Sequence, residues 1–184
     1  MIHINYHNIT HDDMNNGDGL RVVLWLSGCS HHCHNCQNPQ TWNPGSGIPF
    51  DELARQEIFN ELSNDYISGI TFSGGDPLHE NNLDEVLKLV QEIRNSYPDK
   101  SIWLYTGYQW NQIMLPIPTI TDDLHTIEVT DKRKKIISNV NVLVDGEYID
   151  EQKDLTLKWC GSKNQHVINV KQSLAQNKII LYCN

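Results

Sequence analysis

Three cysteines stand within the eight residues Cys29-Ser30-His31-His32-Cys33-His34-Asn35-Cys36, spaced C-x3-C-x2-C directly after an apolar run from Leu20 to Leu26. A loop this tight cannot pair all three thiols in disulfides, yet it can point them into one small volume. Thiolate sulfur selects zinc, copper or iron–sulfur clusters. A four-iron cubane has four corners, so three cysteines would leave one iron open to a small-molecule ligand, whereas most electron-carrying clusters have four cysteine ligands. The spacing points to a cluster that does chemistry on something bound to it. Zinc is the alternative, because His31, His32 and His34 interleave the thiols and Cys3His is a common structural zinc set. A structural metal usually ties separated segments together, and eight contiguous residues would tie little, which favours the cluster. The three histidines then read as exposed loop residues.

The remaining cysteines fit the same picture. Five in a chain of 184 residues, three of them crowded, do not make a secreted disulfide framework. Cys183 reads as a small buried hydrophobe and Cys160 as structural. Met1 to Tyr6 has no charged start followed by an apolar signal core, and no window approaches the ~20 apolar residues that span a bilayer. The expectation is a soluble protein of a reducing cytoplasm, folded as one domain over residues 1–184. Net charge is −9, from 14 basic and 23 acidic residues, and the one basic run is Lys132 to Lys135. That run reads as a solvated helix face or turn, and the acidic balance argues against direct nucleic-acid binding.

Along the chain, Ile2 to Tyr6 is a short candidate strand and His7 to Asn16 reads as a polar loop. Leu20 to Leu26 reads as a strand buried on both faces of a parallel sheet. Asp51 is a plausible N-cap for a helix to about Leu62, with Ala54, Ile58 and Leu62 on one face. Tyr66 to Phe72 is a second buried strand. Leu83, Val86, Leu87, Val90 and Ile93 predict a helix over about 82–97, stopped by Pro98. Ser101 to Thr106 is a third strand and Val140 to Val144 a fourth. Short helices are expected over 109–115, ended by Pro116 and Pro118, and over 131–138. His166 to Val170 and Lys178 to Tyr182 are further strand candidates. The alternation predicts an α/β fold, a parallel sheet with flanking helices joined by right-handed crossovers.

Ligands bind at the carboxyl ends of strands in such sheets. Four suggestive stretches each follow a predicted strand: the cysteines, Ser73-Gly74-Gly75-Asp76-Pro77, Tyr105-Thr106-Gly107-Tyr108, and Val144-Asp145-Gly146. They should converge on one rim. Gly74 and Gly75 would let backbone approach a ligand closely, or would simply turn the chain. Asp145 reads as a turn residue.

The cysteine spacing taken with Ser-Gly-Gly-Asp-Pro resembles the radical S-adenosylmethionine superfamily. Asn38 to Trp42, Tyr105 to Tyr108, Val144 to Gly146 and Gly161 to Gln165, in this order, are similar to its activases of the anaerobic ribonucleoside-triphosphate reductase. The resemblance covers roughly residues 17 to 170. It implies a partial, open β/α barrel of five or six strands. It implies a [4Fe–4S] cluster on Cys29, Cys33 and Cys36, S-adenosylmethionine at the open iron, and reduction by an external one-electron donor such as flavodoxin. Cleavage would yield a 5′-deoxyadenosyl radical that takes hydrogen from a glycine of the reductase's glycyl-radical subunit. Ser73, Gly74, Gly75 and Asp76 would meet the cofactor's amino group through backbone carbonyls or the carboxylate. Asn35 stands where the superfamily often has an aromatic beside the adenine, so Tyr105 or Tyr108 would have to stack there; Thr106 completes the candidate cofactor-binding set. No general acid or base is needed. Asn38, Thr41, Trp42, Ser162, Asn164 and Gln165 are candidates to receive a partner's backbone at an uncovered rim. A radical enzyme acting on a small molecule or another protein is the rival within the superfamily. It is disfavoured by the short chain and by the lack of further cysteine-rich segments.

Overall fold

The computed structural model describes residues 4–115 and 123–183. Strands β1 (Asn5–Asp13) and β2 (Leu20–Leu26) form an antiparallel pair. The stretch expected to loop after Tyr6 is therefore strand. It buries Tyr6 and Ile9 and turns its polar residues toward water, so it lacks the apolar run by which β2 announces itself; Ile2 and His3 lie outside the described residues. A two-residue strand, β3 (Ile48–Pro49), pairs with β1. A proline is tolerated in such an edge strand because its missing N–H faces no partner.

Helix α1 (Glu52–Leu62) begins as the sequence predicts, with the Asp51 carboxylate accepting from Ala54 N at 3.0 Å and Ala54, Ile58 and Leu62 buried. Strand β4 (Ile67–Gly74) runs two residues past Phe72 into Ser73 and Gly74. Helix α2 (Leu83–Ser96) buries Leu83, Val86, Leu89, Val90 and Ile93, with Leu89 joining the expected stripe and Leu87 packing half-buried at its edge. Strand β5 (Ser101–Tyr105), helix α3 (Trp110–Met114), helix α4 (Leu124–Ser138) and strand β6 (Val142–Asp145) follow. Pro116 and Pro118, expected to stop α3, lie outside the described residues. α4 is a full turn and more longer than the sequence suggests. Its N-terminus rests on a polar cap, Asp123 accepting from Thr126 N at 2.7 Å, and apolar periodicity appears only near its end.

Strand β7 (His166–Asn169) pairs antiparallel with β6, and helix α5 (Val170–Gln176) follows it. The tail expected as a strand over Lys178–Tyr182 reduces to one bridge, Leu181 to Ile168. Among the described residues the sheet has seven strands in the order β3-β1-β2-β4-β5-β6-β7, open at both edges, with β2, β4, β5 and β6 parallel. The expected count of five or six strands fails because β1 and β3 add to one side.

The parallel strands are laid down in one direction across the sheet. Right-handed crossovers then set their helices on one face. That face is the main core, where Val22, Leu24, Ile70, Phe72, Ile102, Leu104 and Leu143 meet the apolar stripes of α1, α2 and α4. The opposite face carries Arg21, Thr71, Trp103, Val142 and Val144. Among the described residues it is covered by the segment around Trp159 and Cys160 and by the tail at Cys183. The run Lys132 to Lys135 sits on α4. Lys132 and Lys135 make surface ion pairs, while Arg133 turns inward onto the Tyr108 ring at 4.1 Å and donates to its hydroxyl. The reading of that run as a solvated face holds for its flanks and fails for Arg133.

Candidate iron–sulfur site

The carboxyl ends of β2, β4, β5 and β6 line one rim, and the four motif stretches meet there. The cysteine loop leaves β2 with little internal bonding. Gly28 N donates to Thr41 O and Cys29 N to Trp42 O at 2.7 and 3.0 Å, pinning its start. Cys36 N donates to Cys33 O at 3.1 Å, and Asn38 N reaches Cys36 Sγ at 3.4 Å. His32 and Asn35 adopt left-handed backbone, φ 50° and 55°, a conformation asparagine enters more readily than most residues. This gives Asn35 a backbone reason to be where an aromatic was expected. Its side chain turns away from the loop to donate to Asp150 at 2.8 Å.

Burial pushes the Cys29 thiol up to about 11, and burial also raises Cys33. Both are neutral thiols at pH 7 unless a cation draws off the proton, the coupling expected of metal-binding cysteines. The side chains around them fit an iron–sulfur cluster. The Trp42 indole Nε1–H is buried with no partner among the described residues, and its ring lies 4.8 Å from that of His32 in the cysteine loop; an unpaired buried donor next to this loop suits a cluster's sulfurs, which take hydrogen bonds. A single zinc ion would need its donors in one tetrahedron with bonds of about 2.3 Å to sulfur. Among the described residues no three His, Cys, Asp or Glu side chains gather in that way. A cubane places each thiolate on a different iron.

Gly74 and Gly75 are required by backbone contact. A Cβ on Gly74 would come within 2.8 Å of Leu26 N and O, and one on Gly75 within 2.6 Å of Gly28 O. The close approach permits Gly75 N to donate to Leu26 O and Asp76 N to Gly28 O, both at 2.7 Å. Gly75→Ala should therefore push the cysteine loop off the end of β4. The expected cost is about 1–3 kcal/mol, typical of overpacking, read as a lower denaturant midpoint together with reduced iron uptake.

Asp76 is 2 % exposed. Its carboxylate accepts from Leu78 N, Thr106 Oγ1, Gly107 N and His31 Nε2, at 2.8 to 3.0 Å. Those four donors occupy its lone pairs. Thr106, expected at the cofactor, is buried beneath this carboxylate. His31 corrects the expectation that all three loop histidines face water. Its side chain is 9 % exposed, with Nε2 on Asp76 and Nδ1 on Glu147, each at 2.9 Å. Burial lowers its basicity, but the hydrogen bonds and charges of Asp76 and Glu147 outweigh this and raise it overall. Nothing in the local sequence marks His31 apart from His32 and His34; the partners come from loops 45 and 116 residues away.

Beside the loop lies a cavity of about 370 Å³ lined by Cys36, Asn38, Ser73, Tyr105, Trp159 and Cys160, among others. Ser73 and Tyr105 thus share a wall with the cysteine loop, and burial raises the Tyr105 hydroxyl well above its usual range. Tyr108 is committed elsewhere, edge-on to His31 at 4.6 Å and beneath Arg133. Asp145 exceeds a turn residue: buried, it accepts from Trp110 N at 2.7 Å and from His166 N and Nδ1, joining the start of α3 to β7.

Three of the six expected receivers of a partner's backbone are spent inside the chain. Thr41 and Ser162 are buried, and Gln165 uses both ends of its amide inside the chain, accepting from Gly161 N and donating to Gly146 O. These residues shape the rim. Asn38 keeps its place on the cavity wall.

No helix among the described residues is long and apolar enough to cross a membrane. The chain matches, over residues 15–168, a family model described as a 4Fe-4S single cluster domain. It is 39 % identical over 170 residues to the anaerobic ribonucleoside-triphosphate reductase-activating protein of Escherichia coli (strain K12), covering 91 % of this chain and all of the relative. The protein of that name from Haemophilus influenzae is 36 % identical, covering 91 % and 99 %. The one from Enterobacteria phage T4 is 37 % identical over 166 residues, covering 89 % and 93 %. With a rim of three thiols that suits a cluster and near-complete coverage of these relatives, the chain belongs to the family of anaerobic ribonucleoside-triphosphate reductase-activating proteins and carries their 4Fe-4S domain.

Proposed function

We propose that this chain, as one activase domain over residues 1–184, uses S-adenosylmethionine to place a radical on a glycine of anaerobic ribonucleoside-triphosphate reductase. The observation that carries the reading is a three-thiol loop whose Cys36 opens onto a cavity at the ends of the parallel strands. When bound, the cluster and cofactor would supply one-electron cleavage of the sulfonium, and through the radical so formed the removal of the glycine's α-hydrogen, with the electron coming from an external donor such as flavodoxin. In this reading Cys29, Cys33 and Cys36 hold the iron. Backbone carbonyls of Ser73, Gly74 and Gly75 receive the cofactor's ammonium, since the Asp76 carboxylate is already filled by four donors. Tyr105 and Trp159 wall the cavity. The sheet, singly wound and open, is the arc of a partial β/α barrel whose uncovered side admits the partner's backbone. Free thiols throughout suit a reducing cytoplasm.

The test is anaerobic reconstitution with iron and sulfide, followed by dithionite and S-adenosylmethionine. 5′-Deoxyadenosine should form without the reductase, and a glycyl radical should appear by electron paramagnetic resonance when the reductase is added. A chain that holds a full cluster but releases no 5′-deoxyadenosine would be an electron carrier instead.

A further inference from the structure

His31 joins four stretches of chain that have no sequence proximity. Its ring lies over Gly107, where a Cβ would come within 2.4 Å of the imidazole carbon Cδ2 and 2.6 Å of Nε2. Tyr108 stands edge-on to it. Its two nitrogens reach carboxylates on opposite sides, Asp76 after β4 and Glu147 after β6. The loop it belongs to needs such a support. Between Cys29 and Asn38 the bonds within the loop are few, the Cys33–Cys36 turn and the contacts of backbone N–H groups with the sulfurs of Cys29 and Cys36, and two residues there sit in left-handed backbone.

We propose that His31 is a positioning residue, a strut that fixes the cysteine loop against the loops following β4, β5 and β6 and so sets where the cluster's open side faces the cavity. The residue types follow from the task. Imidazole alone among side chains carries two nitrogens on opposite edges of a flat ring, so it can reach a partner on each side while lying on backbone. Position 107 must then be glycine, because a pinned ring leaves no room for a methyl group. Asp76, filled by its four donors, serves as the anchor of the strut. The inference rests on the cluster reading for its consequence, but its geometry involves protein groups alone.

That separation gives a test with two arms. In the chain without iron, amide hydrogen exchange of residues 29–38 is compared among wild type, His31→Ala, Gly107→Ala and the double variant. In the reconstituted chain, the rate of iron loss to a chelator and the spectrum of the reduced cluster are measured on the same set. His31→Ala should speed both exchange and iron loss about tenfold, the effect of losing a charge-assisted hydrogen bond, and should alter the cluster's spectrum. Gly107→Ala should reproduce the effect by displacing the ring. The double variant should be no worse than His31→Ala, because the methyl then fills space the ring has left. Unchanged exchange in His31→Ala overturns the proposal, as does a harmless Gly107→Ala or effects that add in the double variant. If the wild-type chain takes up no cluster, the site reading fails while the exchange arm still decides the strut.

Discussion

Replacing any one of Cys29, Cys33 or Cys36 by Ala is expected to abolish 5′-deoxyadenosine formation, while Cys160→Ser and Cys183→Ser retain it. A cluster held by three thiolates has no ligand in reserve, and the loop supplies all three from one turn of chain. Cys160 is the serious competitor, since it shares the cavity wall with Cys36. It also packs with Trp103 and Val167 on the sheet face, and burial raises its thiol, as befits a side chain held by its apolar neighbours. The chain's stability should hardly change in the triad variants, because the loop lies at the rim and contributes nothing to the main core. Iron content and 5′-deoxyadenosine yield, measured anaerobically for each variant, decide the matter. Cluster loss in Cys160→Ser alongside retention in Cys33→Ala would overturn the ligand assignment.

Arg21→Ala is expected to cost about 3–4 kcal/mol, near the top of the range for one substitution and a large share of a domain's total of about 5–15 kcal/mol. The guanidinium is fully buried on the face of the sheet opposite the main core. Nε donates to Thr71 Oγ1 at 2.8 Å, one terminal nitrogen to Asp18 O and Ser101 Oγ, and the other to Ile70 O and Ser101 O. Its plane lies 5.4 Å from the centre of the Trp103 ring. Burial lowers its pKa to about 10, offset in part by nearby Tyr105, Tyr182, Asp18 and Asp13, so it stays charged at neutral pH. Truncation would remove packing and leave backbone carbonyls without a donor in a dry site. Lysine cannot repair this, since one ammonium does not span both sides of the fork. Urea unfolding should give a lower midpoint at unchanged slope; a loss under about 1 kcal/mol would mean that water replaces the guanidinium.

The elements that could be read in the sequence are those whose residues answer to local periodicity. Leu20 to Leu26 had to be a buried strand because almost every residue is apolar, and α2 had to be a helix because its apolar stripe repeats every three or four residues. The part of β1 beyond Tyr6 escaped because a strand with one wet face can be mostly polar. The first half of α4 escaped because it is held by Asp123 and by ion pairs on Lys132, and its apolar positions are few. The same limit applies at the site. The cysteine spacing is a local property, and so is the glycine pair at the end of β4.

What the sequence determined by itself was the crowding of Cys29, Cys33 and Cys36 into one short loop, the strand–helix alternation, and therefore one rim on which four stretches of chain meet. Tertiary structure alone decided how they meet. Right-handed crossovers laid in one direction put the helices on one face and left Arg21 and Trp103 to be covered by loop and tail. It also took Asp76 from the surface and gave it four donors, turned His31 inward between two carboxylates, and spent Gln165 on its own loop. The physical reason is that a side chain's partners across a sheet end are fixed by the register Leu26 to Gly74 and Tyr105 to Val144, and register joins residues that no local pattern connects.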